Sequence, residues 1–128
     1  IPVDVFVDCD PYGISNIYRT LKVGSGNAAH LNEFFCVPKA RFLGITPQDI
    51  IDFDLPTHPL KEVDIKRAKD ALKNDPFFRA NPKWQRAIRQ QLKMGVRAEQ
   101  QAFAKWDLNY IIEKYLPLKL RNPRAFLP

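Results

Sequence analysis

The first half of the chain alternates short apolar runs with turn residues, a pattern typical of strands linked by loops and helices. Residues 3–7 predict a strand, and its nearly continuous apolar character predicts burial on both faces, as in the centre of a parallel sheet. Residues 41–45 predict a second strand, with a helix over residues 14–21 between the two. Thr46 followed by proline predicts the start of a short helix over residues 47–53.

In the second half the apolar spacing changes from two to about 3.6 residues, which indicates helices. Two of them are well marked, and a third and a fourth are predicted over residues 97–106 and 107–115, the last ending before Pro117. Residues 55–60 are too rich in proline for a helix or a central strand, so they predict an extended surface loop. The inward positions are Ile65, Ala68 and Leu72 in the first helix, Trp84, Ala87, Ile88 and Leu92 in the second, and Phe126 and Leu127 in an irregular tail.

These elements predict an α/β fold, with a short parallel sheet flanked by helices and a helical C-terminal half. A chain of 128 residues builds one core, so a single domain over residues 1–128 is expected. The chain has no initiator methionine and opens almost inside a strand, from which we expect a piece of a longer protein. No stretch reaches the roughly 18 apolar residues of a membrane span, so we expect a cytoplasmic protein that does not bind membranes.

The charge of the chain is divided unevenly. Residues 1–64 carry five Lys and Arg against nine Asp and Glu, a net charge of −4, whereas residues 65–128 carry fifteen against five, a net charge of +10. A basic surface of this kind attracts polyanions, although the solvated helix faces of a thermostable protein would look the same. The candidate phosphate contacts are Lys66, Lys69, Arg86 and Arg89.

The sequence Asp8-Cys9-Asp10-Pro11-Tyr12-Gly13 directly follows the first predicted strand. Because alternate residues of a strand share one side, Asp8 and Asp10 are expected to lie together while Cys9 turns inward. Hard carboxylate ligands suit Mg²⁺, and Mg²⁺ suits phosphodiester chemistry. Two solvated acids at a strand end are the alternative, which the Pro-x-Gly continuation makes less attractive.

The other residue types that could act in catalysis or metal binding are better explained by structural roles. Cys9 and Cys36 have neither the number nor the spacing of a disulfide framework or zinc site, and His30 and His58 have no partner at ligand spacing. The glycine-containing loop after Lys22 lacks the spacing of a phosphate-binding loop. The four tyrosines, which sit in apolar helix or turn contexts where packing explains them, are Tyr12, Tyr18, Tyr110 and Tyr115.

Several motifs occur together in one order along the chain. The acid pair with its Pro-x-Gly turn is followed by Lys22-x-Gly24-Ser25, by the run over residues 42–50 that begins Phe-Leu-Gly-Ile-Thr-Pro, and by Lys-Met-Gly-Val-Arg-Ala-Glu-Gln-Gln-Ala over residues 93–102. In this combination the chain closely resembles, over essentially its whole length, the toprim domain of archaeal topoisomerase VI A subunits.

The resemblance implies a DNA-cleaving subunit of a type IIB topoisomerase, which passes one DNA duplex through another. It implies a homodimer of A subunits, a partner B subunit that hydrolyses ATP, and association with the nucleoid. Asp8 and Asp10 match the family's Mg²⁺-binding pair. The family's third carboxylate, a Glu, and its nucleophilic tyrosine on a winged-helix domain are expected upstream of Ile1. The chain is therefore expected to be a truncated toprim domain, without its first strand, and inactive alone.

Three alternatives stay open at this point. The meiotic break-forming relatives share the same toprim domain, although residues 95–103 look more archaeal. A haloacid-dehalogenase-type phosphatase would use Asp8 as its nucleophile, but its motif normally continues with Thr or a similar residue and not with Pro11-Tyr12-Gly13. A non-catalytic module would use its basic helices only to dock DNA.

Overall fold

The computed structural model of the chain describes residues 3–24, 36–101 and 111–128. Short strands alternate with helices in the first half, and helices predominate in the second. In chain order the elements are β1 (Asp4–Phe6), a π-helical segment π1 (Gly13–Tyr18) continued by α1 (Arg19–Val23), β2 (Arg41–Gly44), α2 (Pro47–Asp52), β3 (His58–Pro59), α3 (Glu62–Asn74), α4 (Pro76–Ala80), α5 (Pro82–Met94), β4 (Val96–Arg97), a second π-helical segment π2 (Ile111–Tyr115) continued by α6 (Leu116–Leu120), and a 3₁₀ turn (Pro123–Ala125).

The parallel sheet joins β1 to β2, with Val5 opposite Phe42 and an irregularity before Phe6. The predicted α/β fold with a short parallel sheet is thus confirmed. The predicted burial of β1 on both faces is wrong: its three residues are half-buried, whereas Phe42 and Leu43 of β2 are fully buried. The helices and the C-terminal tail pack around β2, so the second strand carries the core.

The core consists of two clusters that meet at β2, where alternation sends successive side chains to opposite faces. Phe42 enters an aromatic cluster in which its ring lies 5.0 Å from that of Trp84 and 5.1 Å from that of Tyr18. Leu43 enters the other cluster. The predicted inward faces are confirmed, since Ala68, Trp84, Ala87, Ile88, Phe126 and Leu127 are buried and Ile65, Leu72 and Leu92 are half-buried.

A buried polar network holds α2 against α6. The Asp49 carboxylate accepts hydrogen bonds from the Tyr115 hydroxyl at 2.6 Å and from the Lys119 ammonium group at 3.1 and 3.2 Å. It also accepts the Thr46 N–H at 3.1 Å, while the Thr46 hydroxyl accepts the Asp49 N–H. The predicted helix start at Thr46-Pro47 is therefore confirmed, and its capping carboxylate is also a buried ion-pair partner.

Two predicted segments differ in the structure. The helix predicted over residues 97–106 is wrong at its start, because Gly95, with φ of 71°, ends α5 and the next residues extend as β4. His58 and Pro59, predicted as loop, form β3 opposite Arg97 and Val96. Both residues of β3 are exposed, so it is an edge strand, where the missing N–H of proline is tolerated.

The helix predicted over residues 107–115 lies outside the described residues up to Tyr110, as do residues 102–106 of the third predicted helix. The predicted end of the helix over residues 107–115, before Pro117, is wrong, because helical structure continues through α6 to Leu120. Pro117 is the second residue of α6, at the junction where π2 continues into α6. Within the described part of the chain, no helix has the length and apolar character needed to cross a membrane.

Candidate metal centre

The acid-pair loop, residues 7–12, leaves the carboxyl end of β1, and main-chain hydrogen bonds hold it on two sides. Val7 extends the parallel pairing, since its N–H donates to the Gly44 carbonyl at 2.9 Å. Cys9 exchanges two backbone hydrogen bonds with Ala98, at 2.8 and 3.1 Å. The Cys9 side chain is fully buried, which confirms that it turns inward. Main-chain anchoring thus fixes where the neighbouring acids stand.

Asp8 and Asp10 lie in the wall of one cavity of about 330 Å³, which we call the acidic cavity. Their predicted placement on a common side of the loop is therefore confirmed, whereas their role as ligands stays a prediction. Within residues 3–24, 36–101 and 111–128, no cluster of three or more His, Cys, Asp or Glu could hold a metal ion. The remaining wall consists of Val7, Tyr12, Gly13, Ile17, Gln100 and Gln101.

The Asp10 carboxyl group is half-buried and lies near two other carboxylates. Burial raises the pKa of its carboxyl group, the Gly13 N–H lowers it, and the nearby carboxylates of Asp8 and Asp64 raise it again. The net shift of the pKa is upward even though the guanidinium group of Arg97 also lowers it. A cation in the cavity would relieve this crowding of negative charge.

Asp8 is oriented by a residue that sequence reasoning did not single out. Its carboxylate oxygen Oδ1 accepts the Gln100 N–H at 2.7 Å, and the Gln100 side-chain amide donates to the Phe6 carbonyl at 3.0 Å. Gln100 therefore connects the acid-pair loop to the end of β1. No local pattern marks Gln100 for this task, because the contacts arise only when the chain returns to the sheet.

Gln91 is a second missed residue. Its side chain is 1% exposed, and its amide nitrogen donates to the Cys9 carbonyl at 2.9 Å and the Val96 carbonyl at 3.4 Å. A signal was present in the sequence, because a glutamine one turn beyond Ile88 falls on the apolar stripe of its helix. A polar residue at an inward position needs a buried partner, and here the partner is the acid-pair loop.

Gly13 is required by a close approach of the chain to itself. A Cβ atom at this position would lie 2.8 Å from the Asp8 carbonyl oxygen and 3.2 Å from the Asp10 carboxylate. The Gly13 N–H donates to Asp10 Oδ1 at 2.6 Å. The predicted tight turn is thus confirmed, and its cause is the lack of a side chain at the first residue of π1.

The described tyrosines differ in environment. Tyr18 and Tyr115 are buried, which raises the pKa of both hydroxyl groups, so they stay protonated as hydrogen-bond donors. The expectation that packing explains every tyrosine is wrong for Tyr12, which is 50% exposed at the rim of the cavity. Tyr110 lies outside the described residues.

The cysteines and histidines differ in environment where they are described, and their predicted structural roles stay a prediction. Burial raises the pKa of the Cys9 thiol, and the carboxylates of Asp49, Asp10 and Asp8 add to the effect, so the thiol is unreactive. Cys36 is only half-buried, and His58 is exposed in β3. His30 falls in a part of the chain that the structure leaves undescribed.

The four predicted phosphate contacts are all exposed. Lys66 and Lys69 lie on α3. Arg86 lines a separate cavity of about 180 Å³, together with Lys83 and residues of α2 and the tail. As far as the described residues show, none of the four lines the acidic cavity, so their role in binding DNA stays a prediction.

An acid pair at the carboxyl end of a parallel strand, followed by a glycine turn into a helix, defines this α/β domain as a toprim domain. The chain belongs to the family of toprim domains found in topoisomerase 6 A subunits and Spo11, whose model matches residues 1–120. This membership gives no support to a haloacid-dehalogenase-type phosphatase.

Two relatives illustrate the similarity. The A subunit of type 2 DNA topoisomerase 6 from Methanocaldococcus jannaschii is 62% identical over 128 residues, which are all of this chain and 35% of that protein. The A subunit of type 2 DNA topoisomerase 6 from Methanothermobacter thermautotrophicus is 44% identical over 120 residues, 94% of this chain and 33% of that protein. The chain thus spans about a third of the length of these curated relatives.

Proposed function

We propose that this chain is the Mg²⁺-binding toprim part of a DNA-cleaving topoisomerase VI A subunit. The observation that carries the proposal is the convergence of Asp8 and Asp10 on one cavity at the carboxyl end of β1, in a chain of this family. In the complete enzyme two A subunits would act with the ATPase B subunits on double-stranded DNA. The proposed reaction is ATP-dependent passage of one duplex through another.

The residues of the cavity fit Mg²⁺. Its ligands in proteins are oxygens, commonly one or two carboxylates with water and phosphate completing the shell. Asp8 and Asp10 supply two carboxylates, and burial together with the nearby carboxylates of Asp8 and Asp64 raises the pKa of Asp10, so a cation beside it would favour its ionised form. When bound, Mg²⁺ would stabilise the charge that develops on the attacked phosphate and on the leaving oxygen.

The residues around the acids would have distinct tasks. The backbone N–H of Gln100 would orient the Asp8 carboxylate by donating a hydrogen bond to one of its oxygens. The backbone N–H of Gly13 would orient Asp10 in the same way. Gln91 and Ala98 hold the intervening Cys9. The loop is thereby preorganised, so the acids would not need to rearrange when a cation and a phosphate arrive.

The attacking tyrosine and a third carboxylate would come from the upstream part of the protein. The expectation comes from the family resemblance; among the described tyrosines, Tyr18 and Tyr115 are buried with their hydroxyl groups committed to hydrogen bonds with Ala40, Pro128 and Asp49, whereas Tyr12 is exposed at the rim of the cavity. A buried, protonated hydroxyl without access to DNA is a poor nucleophile. The domain would therefore contribute one half of a divided cleavage site.

Metal-dependent stability tests the proposal. Mg²⁺ at ten times its dissociation constant should stabilise the wild-type protein by about 1.4 kcal/mol, raising its Tm. The variant Asp8→Asn with Asp10→Asn should lose this shift. A control with the same charge change, Asp52→Asn with Glu62→Gln at exposed positions, should keep it.

DNA assays on the full-length protein complete the test. The double variant at the acid pair should bind DNA nearly as the wild-type protein does and should not cleave it. A metal-dependent Tm shift that survives in this variant would contradict the assignment of the ligands. Loss of folding together with loss of DNA binding would make the two acids structural.

A further inference from the structure

A second polar cavity, of about 330 Å³, lies between the π1–α1 helical segment and α3. Arg67 lines this groove, and its guanidinium carbon lies 5.2 Å from the centre of the Tyr12 ring. Tyr12 in turn lines the acidic cavity. The cation–π pair of Arg67 and Tyr12 therefore lies where the groove and the acidic cavity meet.

The other charged side chains of the groove each have a hydrogen-bond or ion-pair partner within the molecule. Arg19 pairs with Asp75 at 3.2 Å, and Asp75 also accepts the Phe77 N–H at 3.0 Å. Asp70 accepts a hydrogen bond from the Asn74 side chain at 2.6 Å. No carboxylate among the described residues pairs with Arg67 within salt-bridge distance. As far as the described residues show, the guanidinium group of Arg67 is thus a cation of the groove without a carboxylate partner, and we take it to be available to an external anion.

Another cation lies near the acid pair. The cation that lowers the pKa of Asp10 is Arg97, which belongs to β4. The guanidinium group of Arg67 instead lies over the Tyr12 ring, a cation–π contact that restrains the side chain without using its N–H donors. The planar guanidinium fork suits the two oxygens of a phosphodiester.

We propose that Arg67, held by Tyr12, binds a backbone phosphate of DNA next to the phosphate at the acidic cavity. This inference rests on the proposed function, because it takes the acidic cavity to be the place where DNA is held. Ser15, Asn16 and Thr20 line the same groove and offer hydroxyl and amide donors to the strand as it leaves. Arg67 would thus be a positioning residue that sets the register of DNA.

The test measures DNA binding without metal, so that it is independent of the acid pair. The full-length protein is titrated against a fluorescently labelled duplex in EDTA, by anisotropy, over a range of salt. Arg67→Gln should lower the slope of log affinity against log salt by about 0.9. Between about 50 and about 200 mM salt, the wild-type protein should consequently lose about 3.5-fold more affinity than the variant.

Matched variants separate charge from geometry. Arg79→Gln removes the same charge from an exposed position of α4 and should leave slope and affinity unchanged. Arg67→Lys should keep the slope but bind more weakly, because the planar fork is lost. Tyr12→Leu should keep the slope and weaken binding by about two- to five-fold, the value of a cation–π contact.

The outcomes distinguish the two proposals. If Arg67→Gln behaves like Arg79→Gln while the wild-type protein binds DNA, the assignment of Arg67 is overturned and the acid pair is unaffected. If the wild-type protein has no affinity for the duplex, the proposed function itself fails. If Arg67→Gln misfolds, which loss of the Mg²⁺-dependent Tm shift would reveal, the variants Arg67→Lys and Tyr12→Leu provide the test. If both bind DNA with the affinity of the wild-type protein, the inference is overturned.

Discussion

Removal of the Lys119 charge should expose how strongly the fold depends on the buried network around Asp49. The side chains of Lys119 and Asp49 are only 6% and 4% exposed, so their pairing is shielded from water. Lys119→Met keeps an apolar side chain of similar length but removes the ammonium group. The buried Asp49 carboxylate then keeps only one side-chain hydrogen-bond donor of the network, the hydroxyl group of Tyr115. Loss of one partner of a buried pair typically costs about 3 to 5 kcal/mol.

Urea unfolding of the 128-residue chain measures this cost. With a slope of about 2 kcal/mol per molar, the unfolding midpoint should fall by roughly 1.5 to 2.5 M. Lys114→Met, at an exposed position of π2, is the matched control and should change stability by no more than about 0.5 kcal/mol.

A second variant separates the buried charge from the lost contact. Asp49→Asn together with Lys119→Met removes both charges and retains an oxygen for the Tyr115 hydroxyl, so more than half of the lost stability should return. Equal midpoints for Lys119→Met and Lys114→Met would refute the reasoning, because the ion pair would then behave like one at the surface.

Two further substitutions address the acid-pair loop. Gly13→Ala should destabilise the protein and weaken Mg²⁺ binding, because its Cβ would meet the Asp8 carbonyl at 2.8 Å; calorimetric titration with Mg²⁺ checks this, and unchanged affinity would contradict it. Gln91→Glu should destabilise by several kcal/mol at neutral pH, since it places a carboxyl group at a site 1% exposed. Burial raises the pKa of such a group in the folded state, so the penalty should grow as the pH rises above about 4 and nearly vanish below it, as urea midpoints across pH would reveal; a penalty independent of pH would argue against buried charge as its cause.

Local signals explain what could be predicted from the sequence. The helix start at Thr46-Pro47 uses hydrogen bonds and backbone angles that lie within a few residues of each other. The inward face of α5 follows from helical periodicity alone. The shared side of Asp8 and Asp10 follows from the period of a strand and from the turn at Gly13.

The missed features depend on contacts between distant parts of the chain. The extended conformation after Gly95 is stabilised by β3 and Cys9, which no pattern near Gly95 could indicate. The cation–π contact of Arg67 with Tyr12 and the bond from Gln100 to Asp8 arise in the same way. Periodicity assigns a residue to a helix face, but only the packing of helices decides what that face meets.

The two hydrophobic clusters bear on how the domain unfolds. Cys9 belongs to one cluster and Ile14 to the other, so the acid-pair loop spans the boundary between two packed halves. A cation bound by Asp8 and Asp10 would therefore stabilise a segment that contacts both clusters. Calorimetry should accordingly record one cooperative transition for the domain, at a higher temperature in Mg²⁺ than in EDTA.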